Sequence, residues 1–428
     1  MAASRAQTPS RRRADQATSP LLFVSWGKKR ARTGGAPGTG GTPPAPPCRR
    51  ARDWANLGGE GPAGLIAELV LAGDVADYVR FRAVCRPWRR CTADPRGAGL
   101  DDRFLPWRWI MLDNGHAGTR RRRFLNLYTG ECVRTDLPEL AEHALISLTP
   151  EGLLLLLHEA TMALRLLNPL TRQLTDLPPA TTLPKSKHEQ DRRWDLELLR
   201  SHDVYGAGLV SAGASTLVAL SFLCWPTVLA VAEPGDESWT VVHCGFIASA
   251  LPFDGRLYCA TTRGVMVLDN SSGEQPPRLL TAAEPRLPLY FSSFSQSLHL
   301  VDNGGELMLV HRMALRRNCP QNVYNKIYNV YKVDLEAGIL VPAKCFKGRA
   351  VFMGMCRAIS VSVEVFPYVN ADTIYFGLDY DESTGMAGYD HEDGSTEPDP
   401  WVGMEHLHPD DVVDCLSYCI QDTGSQLT

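Results

Sequence analysis

Phe124-Leu-Asn-Leu-Tyr-Thr-Gly-Glu-Cys-Val-Arg-Thr-Asp-Leu-Pro138 and Leu166-Leu-Asn-Pro-Leu-Thr-Arg-Gln-Leu-Thr-Asp-Leu-Pro178 share one form: an apolar strand, a threonine turn, a second strand and Asp-Leu-Pro. Thr129 and Thr171 lie 42 residues apart, and Pro138 and Pro178 lie 40 apart. Val265 to Leu280, turning at Ser271-Ser272-Gly273, and Tyr328 to Leu340, turning at Glu336-Ala337-Gly338, repeat the hairpin without the Leu-Pro ending. A hairpin that recurs every ~40–45 residues is the signature of a four-stranded propeller blade. The chain from Arg108 onward is long enough for about six or seven of them.

The rest of that region agrees. Short apolar runs alternate with turns: Ile110 to Leu112, Leu153 to Leu157, Leu257 to Cys259, Val265 to Leu268, Leu307 to Val310, Tyr328 to Val333, Val361 to Phe366 and Thr373 to Phe376. Turn signals separate them, among them Phe253-Asp254-Gly255-Arg256, Asp269-Asn270 and Asp302-Asn303-Gly304-Gly305. Val204 to Ala232 carries no charge, but it is broken by glycines, Trp225 and Pro226. It therefore reads as two buried strands, Ser215 to Leu223 and Thr227 to Ala232, and not as a membrane span. Residues 108–428 are expected to be mainly β.

Residues 54–107 read as a small helical module. Leu65, Ile66, Leu69 and Val70 form one apolar stripe of a short helix entered through Gly61-Pro62. A second helix starts at an Asp74 N-cap with Asp77 three residues on. It carries Tyr78, Phe81, Cys85 and Trp88 on one face and is stopped by Pro87. Arg80, Arg82, Arg86, Arg89 and Arg90 read as its solvated face.

Residues 1–53 are a different material. They hold 11 Lys/Arg against 2 Asp/Glu, for a net charge of +9, while the remainder carries −13. Rich in Arg, Pro, Gly, Ser and Thr, this head lacks the apolar residues to repay its ordering entropy and is expected to be disordered. Its cluster Lys28, Lys29, Arg30 and Arg32 fits a nuclear import signal. A solvated tail and an Arg- and Ser-rich organellar transit peptide are the competing readings.

The 428-residue chain, with a formal net charge of −4, is neither a polycationic nucleic-acid coat nor a polyacidic coil. Its 12 cysteines contain no C-x-x-C pair, which argues against zinc and for a reducing nuclear or cytoplasmic setting. No P-loop, G-x-S-x-G or H-E-x-x-H occurs. His406 and His408 read as a surface loop, and the acid-rich 379–400 segment misses calcium-loop spacing. No catalytic residue, metal or cofactor is expected, and neither nucleic acid nor membrane is an expected partner.

Trp54-Ala-Asn-Leu57, Gly64-Leu-Ile-Ala-Glu-Leu69 and, above all, Phe81-Arg-x-Val-Cys-x-x-Trp-Arg89 resemble the F-box of a large group of grass proteins. The downstream chain resembles the propeller usually paired with it in plants, domain of unknown function 295 or KIB-type. Leu167-Asn-Pro-Leu-Thr171, Gly354, Thr373-Ile-Tyr-Phe376 and Val412-Val-Asp-Cys-Leu416 carry that likeness. The resemblance implies a non-enzymatic substrate receptor that links a target protein to a Skp–cullin–RING ubiquitin ligase. Docking on the Skp-type adaptor falls to Leu57, Leu65, Ile66, Leu69, Val84, Cys85 and Trp88; the alternative is that these fill the module's own core. The family pattern opens Leu-Pro where this chain has Leu57-Gly58. Glycine there loosens the entry by about 1 kcal/mol, so a free propeller scaffold that no longer docks stands as the alternative, ahead of a propeller enzyme.

Overall fold

The computed structural model describes residues 62–97, 99–112, 120–185, 204–212, 215–223, 227–270, 276–286, 296–316, 324–354, 357–367, 369–376, 388–391 and 394. The basic head with Lys28, Lys29, Arg30 and Arg32, then Leu57, the His406/His408 pair and Val412 to Leu416 lie outside these residues, and of the calcium-like 379–400 segment, read as a loop, only 388–391 and 394 are described, with Gly388–Asp390 forming a strand.

Three short helices come first: α1 (Pro62–Gly73), α2 (Val75–Val84) and α3 (Arg86–Arg90). Among the described residues the strands that follow form six sheets, five of four strands and one of three. Blade 1 holds β1 (Trp109–Met111), β2 (Arg121–Asn126) and β3 (Cys132–Asp136); blade 2 holds β4 (His143–Leu148), β5 (Leu154–His158), β6 (Ala163–Leu167) and β7 (Leu174–Asp176). Blade 3 holds β8 (Val204–Ala212), β9 (Ser215–Leu223), β10 (Thr227–Ala232) and β11 (Thr240–Cys244), and blade 4 β12 (Ser249–Phe253), β13 (Arg256–Thr261), β14 (Gly264–Asp269) and β15 (Arg278–Ala283). Blade 5 holds β16 (Gln296–Asp302), β17 (Leu307–Arg316), β18 (Tyr324–Asp334) and β19 (Ile339–Pro342); blade 6 holds β20 (Arg349–Met353), β21 (Ala358–Ser362), β22 (Thr373–Phe376) and β23 (Gly388–Asp390). The molecule is a six-bladed propeller with few helices, and the hairpins that repeat in the sequence are β2/β3, β6/β7, β14/β15 and β18/β19.

Side chains that alternate along a strand point to opposite faces, so a strand between two blades must be apolar on both. β5 and its entry show this. Leu153, Leu155 and Leu157 join the core shared with blade 3, while Leu154 and Leu156 join the core shared with blade 1. The same division recurs at β13, where Leu257 and Cys259 face blade 3 and Tyr258 and Ala260 face blade 5. β17 sends Leu307 and Leu309 to blade 4 and Met308 and Val310 to blade 6. The circle closes where Ala350, Phe352, Ile359 and Val361 of blade 6 pack on Ile110, Leu112 and Leu125 of blade 1. Near the axis the inner strands β4, β8, β12, β16 and β21 adjoin in turn. At Gly208 a Cβ would fall 2.2 Å from Pro252 Cγ, so no larger residue fits that approach.

Three local expectations need correction. The second helix does not run to Pro87: α2 ends at Val84, Cys85 is fully extended (φ −157°), and α3 restarts with Pro87 in its first turn. Proline cannot donate to the i−4 carbonyl, but is well placed where a first-turn N–H has no partner anyway. Arg82 is not solvated; it is buried and donates to Thr92 O and Oγ1, each at 2.8 Å. The run Val361 to Phe366 is not a strand, because β21 ends at Ser362 and a turn follows in which Phe366 N donates to Ser362 O (3.0 Å). Its apolar character serves the blade 6/blade 1 seam instead. Blade 6 also departs from a simple meander, with order β21-β20-β22-β23 and β20 parallel to β22. No helix among the described residues is long and apolar enough to cross a membrane.

Candidate partner-docking surface

α1 buries the wrong face for a conventional amphipathic reading. Its inward stripe is Ala63, Ala67 and Leu71, spaced i, i+4 and i+8, and it packs with Val75, Tyr78 and Phe104. Small residues on that stripe let the helix backbone sit close to what lies beneath it. The larger apolar residues point the other way: Leu65 is 70 %, Ile66 41 % and Leu69 75 % exposed, and Val84 at the end of α2 is 64 % exposed. Val70 alone of the expected stripe is packed against the module core. The alternative that Leu65, Ile66 and Leu69 fill the module's core is therefore set aside.

Cys85 and Trp88 are half-buried. Trp88 stacks on Phe81 with ring centroids 4.3 Å apart and planes 19° apart. This stack joins α3 to α2 across the extended Cys85, so these two residues brace the module more than they present it.

The module is fixed to the propeller through Asp74. As α2's N-cap it accepts from Ala76 N (2.6 Å), and the same carboxylate accepts from Trp109 Nε1 (3.0 Å to Oδ2) and Asn126 Nδ2 (2.8 Å). A charged acceptor with several donors makes the strong class of hydrogen bond. Ala76 also packs into the core between blades 1 and 2.

Asn126 belongs to the repeated hairpin, and its counterpart Asn168 does the same work one blade on. Each asparagine folds its own turn: Asn126 Oδ1 accepts from Tyr128 N (2.9 Å) and Thr129 N (3.2 Å), and Asn168 Oδ1 accepts from Leu170 N and Thr171 N (3.1 Å each). Their carbonyls accept from Gly130 N and Arg172 N, both 2.9 Å, at residues with positive φ (72° and 65°). With the side-chain oxygen spent on the turn, each amide NH2 is left to reach outward. Asn126 gives it to Asp74, and Asn168 gives it to Phe104 O (2.8 Å). In blade 5 the same turn position is Asp334, whose Oδ1 accepts from Glu336 N and Ala337 N but which has no donor to offer. Only the two blades under the module carry the asparagine in this bonded form among the described residues.

Further bonds frame this seat. Arg108 Nη1 donates to Gly73 O (2.8 Å), Arg96 Nε to Thr171 O (2.9 Å), and Arg80 pairs with Glu131, which raises the Arg80 pKa. The sequence offered both asparagines as part of the repeat and Asp74 as a cap, but gave no sign that they meet.

The β4–β5 turn holds one unusual group. Glu151 is fully buried in the β4–β5 turn, its Oε1 accepting from Leu209 N of β8 (2.8 Å) and its Oε2 meeting no donor among the described residues. Burial pushes its carboxyl up to about 7 despite the nearby Arg357 guanidinium. Cys259, between blades 3 and 4, is likewise pushed up to about 12 by burial and so stays an unreactive thiol. Among the described residues no three His, Cys, Asp or Glu side chains gather as a metal site would require.

A sequence profile described as the KIB1-4 beta-propeller matches residues 124–394, from β2 through blade 6. No curated protein matches the chain by sequence. Among solved structures the chain is similar to the PQQ-bound aldose sugar dehydrogenase of Streptomyces coelicolor, with 10 % identity over 60 % of this chain and 92 % of that one at a TM-score of 0.25. It is also similar to the WD40 domain of SCAP from fission yeast (10 % identity, 68 % and 83 % covered, TM-score 0.29). The major Malassezia sympodialis allergen Mala s 1 is a third (12 %, 70 % and 99 %, TM-score 0.25). At these TM-scores the likenesses carry no argument about activity. The profile match spans more than half of the 428 residues, and the chain belongs to the KIB1-4 β-propeller family.

Proposed function

We propose that the protein is an F-box-type substrate receptor, in which the helical module docks on a Skp-type adaptor of a cullin–RING ubiquitin ligase and the propeller holds a target protein. The observation that carries this reading is the exposure of Leu65, Ile66, Leu69 and Val84 on a module whose core is already filled by Ala67, Leu71, Val75, Tyr78 and Phe104. A soluble surface gains nothing from four large apolar side chains on one small module unless another protein covers them. The protein performs no chemistry of its own in this reading, and the seat on Asp74, Asn126 and Asn168 holds the docking face at a set position on blades 1 and 2. Lys28, Lys29, Arg30 and Arg32 direct it to the nucleus; unchanged distribution of a reporter after Lys28→Ala, Lys29→Ala and Arg30→Ala would refute that part.

The test is a pull-down of a recombinant Skp-type adaptor by the full chain. Wild type should retain it, and a Leu65→Asp, Ile66→Asp variant with unchanged circular dichroism should not. Retention by the variant, or none by the wild type, would sink the reading.

A further inference from the structure

The exposed apolar stripe of α1 does not end on the helix. From Leu65 and Leu69 it runs on to Ala72, and Ala72 with Gly73 forms one wall of a groove of about 340 Å³. The facing wall is the segment that leads from the module into blade 1, with Trp107 and Arg108 on it. Trp107 is 48 % exposed, unusual for the largest apolar side chain. Arg108 is held in place, its Nη1 on Gly73 O and its guanidinium over the Tyr128 ring at 4.8 Å, yet no carboxylate pairs with it among the described residues.

The other charged groups of the groove are already engaged. Asp74 gives its oxygens to Ala76, Trp109 and Asn126, and Arg103 pairs with Asp101 at 2.7 Å. Arg108 is thus the charge left to answer an incoming one. A pre-set guanidinium beside an exposed indole is the pairing that recurs at the energetic centres of interfaces.

We propose that the docking surface extends from α1 into this groove, and that the groove takes a segment of the partner protein presenting one large apolar side chain next to a carboxylate. The apolar side chain packs on Trp107 and Ala72, and the carboxylate meets Arg108. This rests on the reading of α1 as the docking face and makes it longer: the partner must reach past the helix to the propeller entry. A partner that touched α1 alone would leave Trp107 in water.

Calorimetric titration of a recombinant Skp-type adaptor into the full chain tests this with three variants, each checked for unchanged circular dichroism. Leu65→Asp should abolish binding. Trp107→Ala should weaken it about tenfold or more. Arg108→Gln should weaken it and flatten its salt dependence, because a charge pair at the rim is screened by salt, and Arg108→Lys should restore part of that dependence. If Trp107→Ala and Arg108→Gln bind as wild type while Leu65→Asp does not, the groove proposal falls and docking through α1 stands. If wild type binds no adaptor, both fall. If the free chain is a dimer that Trp107→Ala makes monomeric, the groove's occupant is a second copy and the proposal is wrong.

Discussion

Asparagine and aspartate differ by one donor, and at residue 126 that donor decides what the hairpin can hold. Both side chains close an Asx-type turn, as Asp334 shows in blade 5, but only asparagine has an NH2 left for Asp74. Asn126→Asp should therefore keep the hairpin while setting a carboxylate against the Asp74 carboxylate. The expected cost is about 2–4 kcal/mol, the range for a half-buried charge that loses its donor and gains a like charge. Urea unfolding followed by circular dichroism and intrinsic tryptophan fluorescence would measure it. The paired change Asp74→Asn with Asn126→Asp restores one donor facing one acceptor, and should recover a substantial part of the loss. No recovery would mean that the seat depends on the Trp109 bond and not on Asn126.

At the scale of elements, α1 separates packing from recognition within one turn. Leu65→Asp changes an exposed position and should alter stability by no more than about 0.5 kcal/mol. Ala67→Asp, two residues on, buries an unpaired carboxylate beneath the helix and should cost about 3 kcal/mol or more, releasing residues 62–90 to limited proteolysis. Equal proteolytic sensitivity of the two variants would contradict the assigned faces. The β4–β5 turn makes a different prediction. Glu151 holds its proton more tightly folded than unfolded, since burial raises its carboxyl from the ordinary range to about 7. Its contribution is complete below about pH 4.5 and is lost as pH rises through 7, amounting to about 3 kcal/mol at high pH. Thermal unfolding should show Glu151→Gln gaining on wild type between pH 5.5 and 8.5; a pH-independent difference would contradict this.

Elements also show what was legible in the sequence. The last two strands of blades 1, 2, 4 and 5 were readable because a polar turn separates two apolar runs. In the matching β10/β11 hairpin of blade 3 only β10 was readable, as an apolar run, because β11 (Thr240–Cys244) is largely exposed and follows a long turn through Glu233-Pro234-Gly235. The exchange of β20 and β21 in blade 6 has no local mark, because strand order is set by a crossover and not by any one strand's pattern. On the module, Leu65, Ile66 and Leu69 were readable as one stripe. Which side of the helix would be buried was not, because the inward face carries two alanines, Ala63 and Ala67, and one large apolar residue, Leu71, against the bulkier Leu65, Ile66 and Leu69 opposite.

Over the whole molecule, the blades form one closed circle of shared cores, and the helical module sits on only two of them. That arrangement places the module's apolar face and the Trp107 groove beside the seat on blades 1 and 2; behind the groove Leu105, with Leu100, reaches the core that blade 2 shares with blade 3, whereas blades 4 and 5 share no core with the module among the described residues. This face, and not the propeller, is the proposed seat of the ligase adaptor. Hydrogen–deuterium exchange of the full chain with and without a recombinant Skp-type adaptor tests it most directly. Adaptor-induced protection is expected in α1 from Leu65 to Gly73 and in Arg103 to Trp109, with β8 to β19 unchanged. Protection confined to the blades, or no protection anywhere at saturating adaptor, would contradict it.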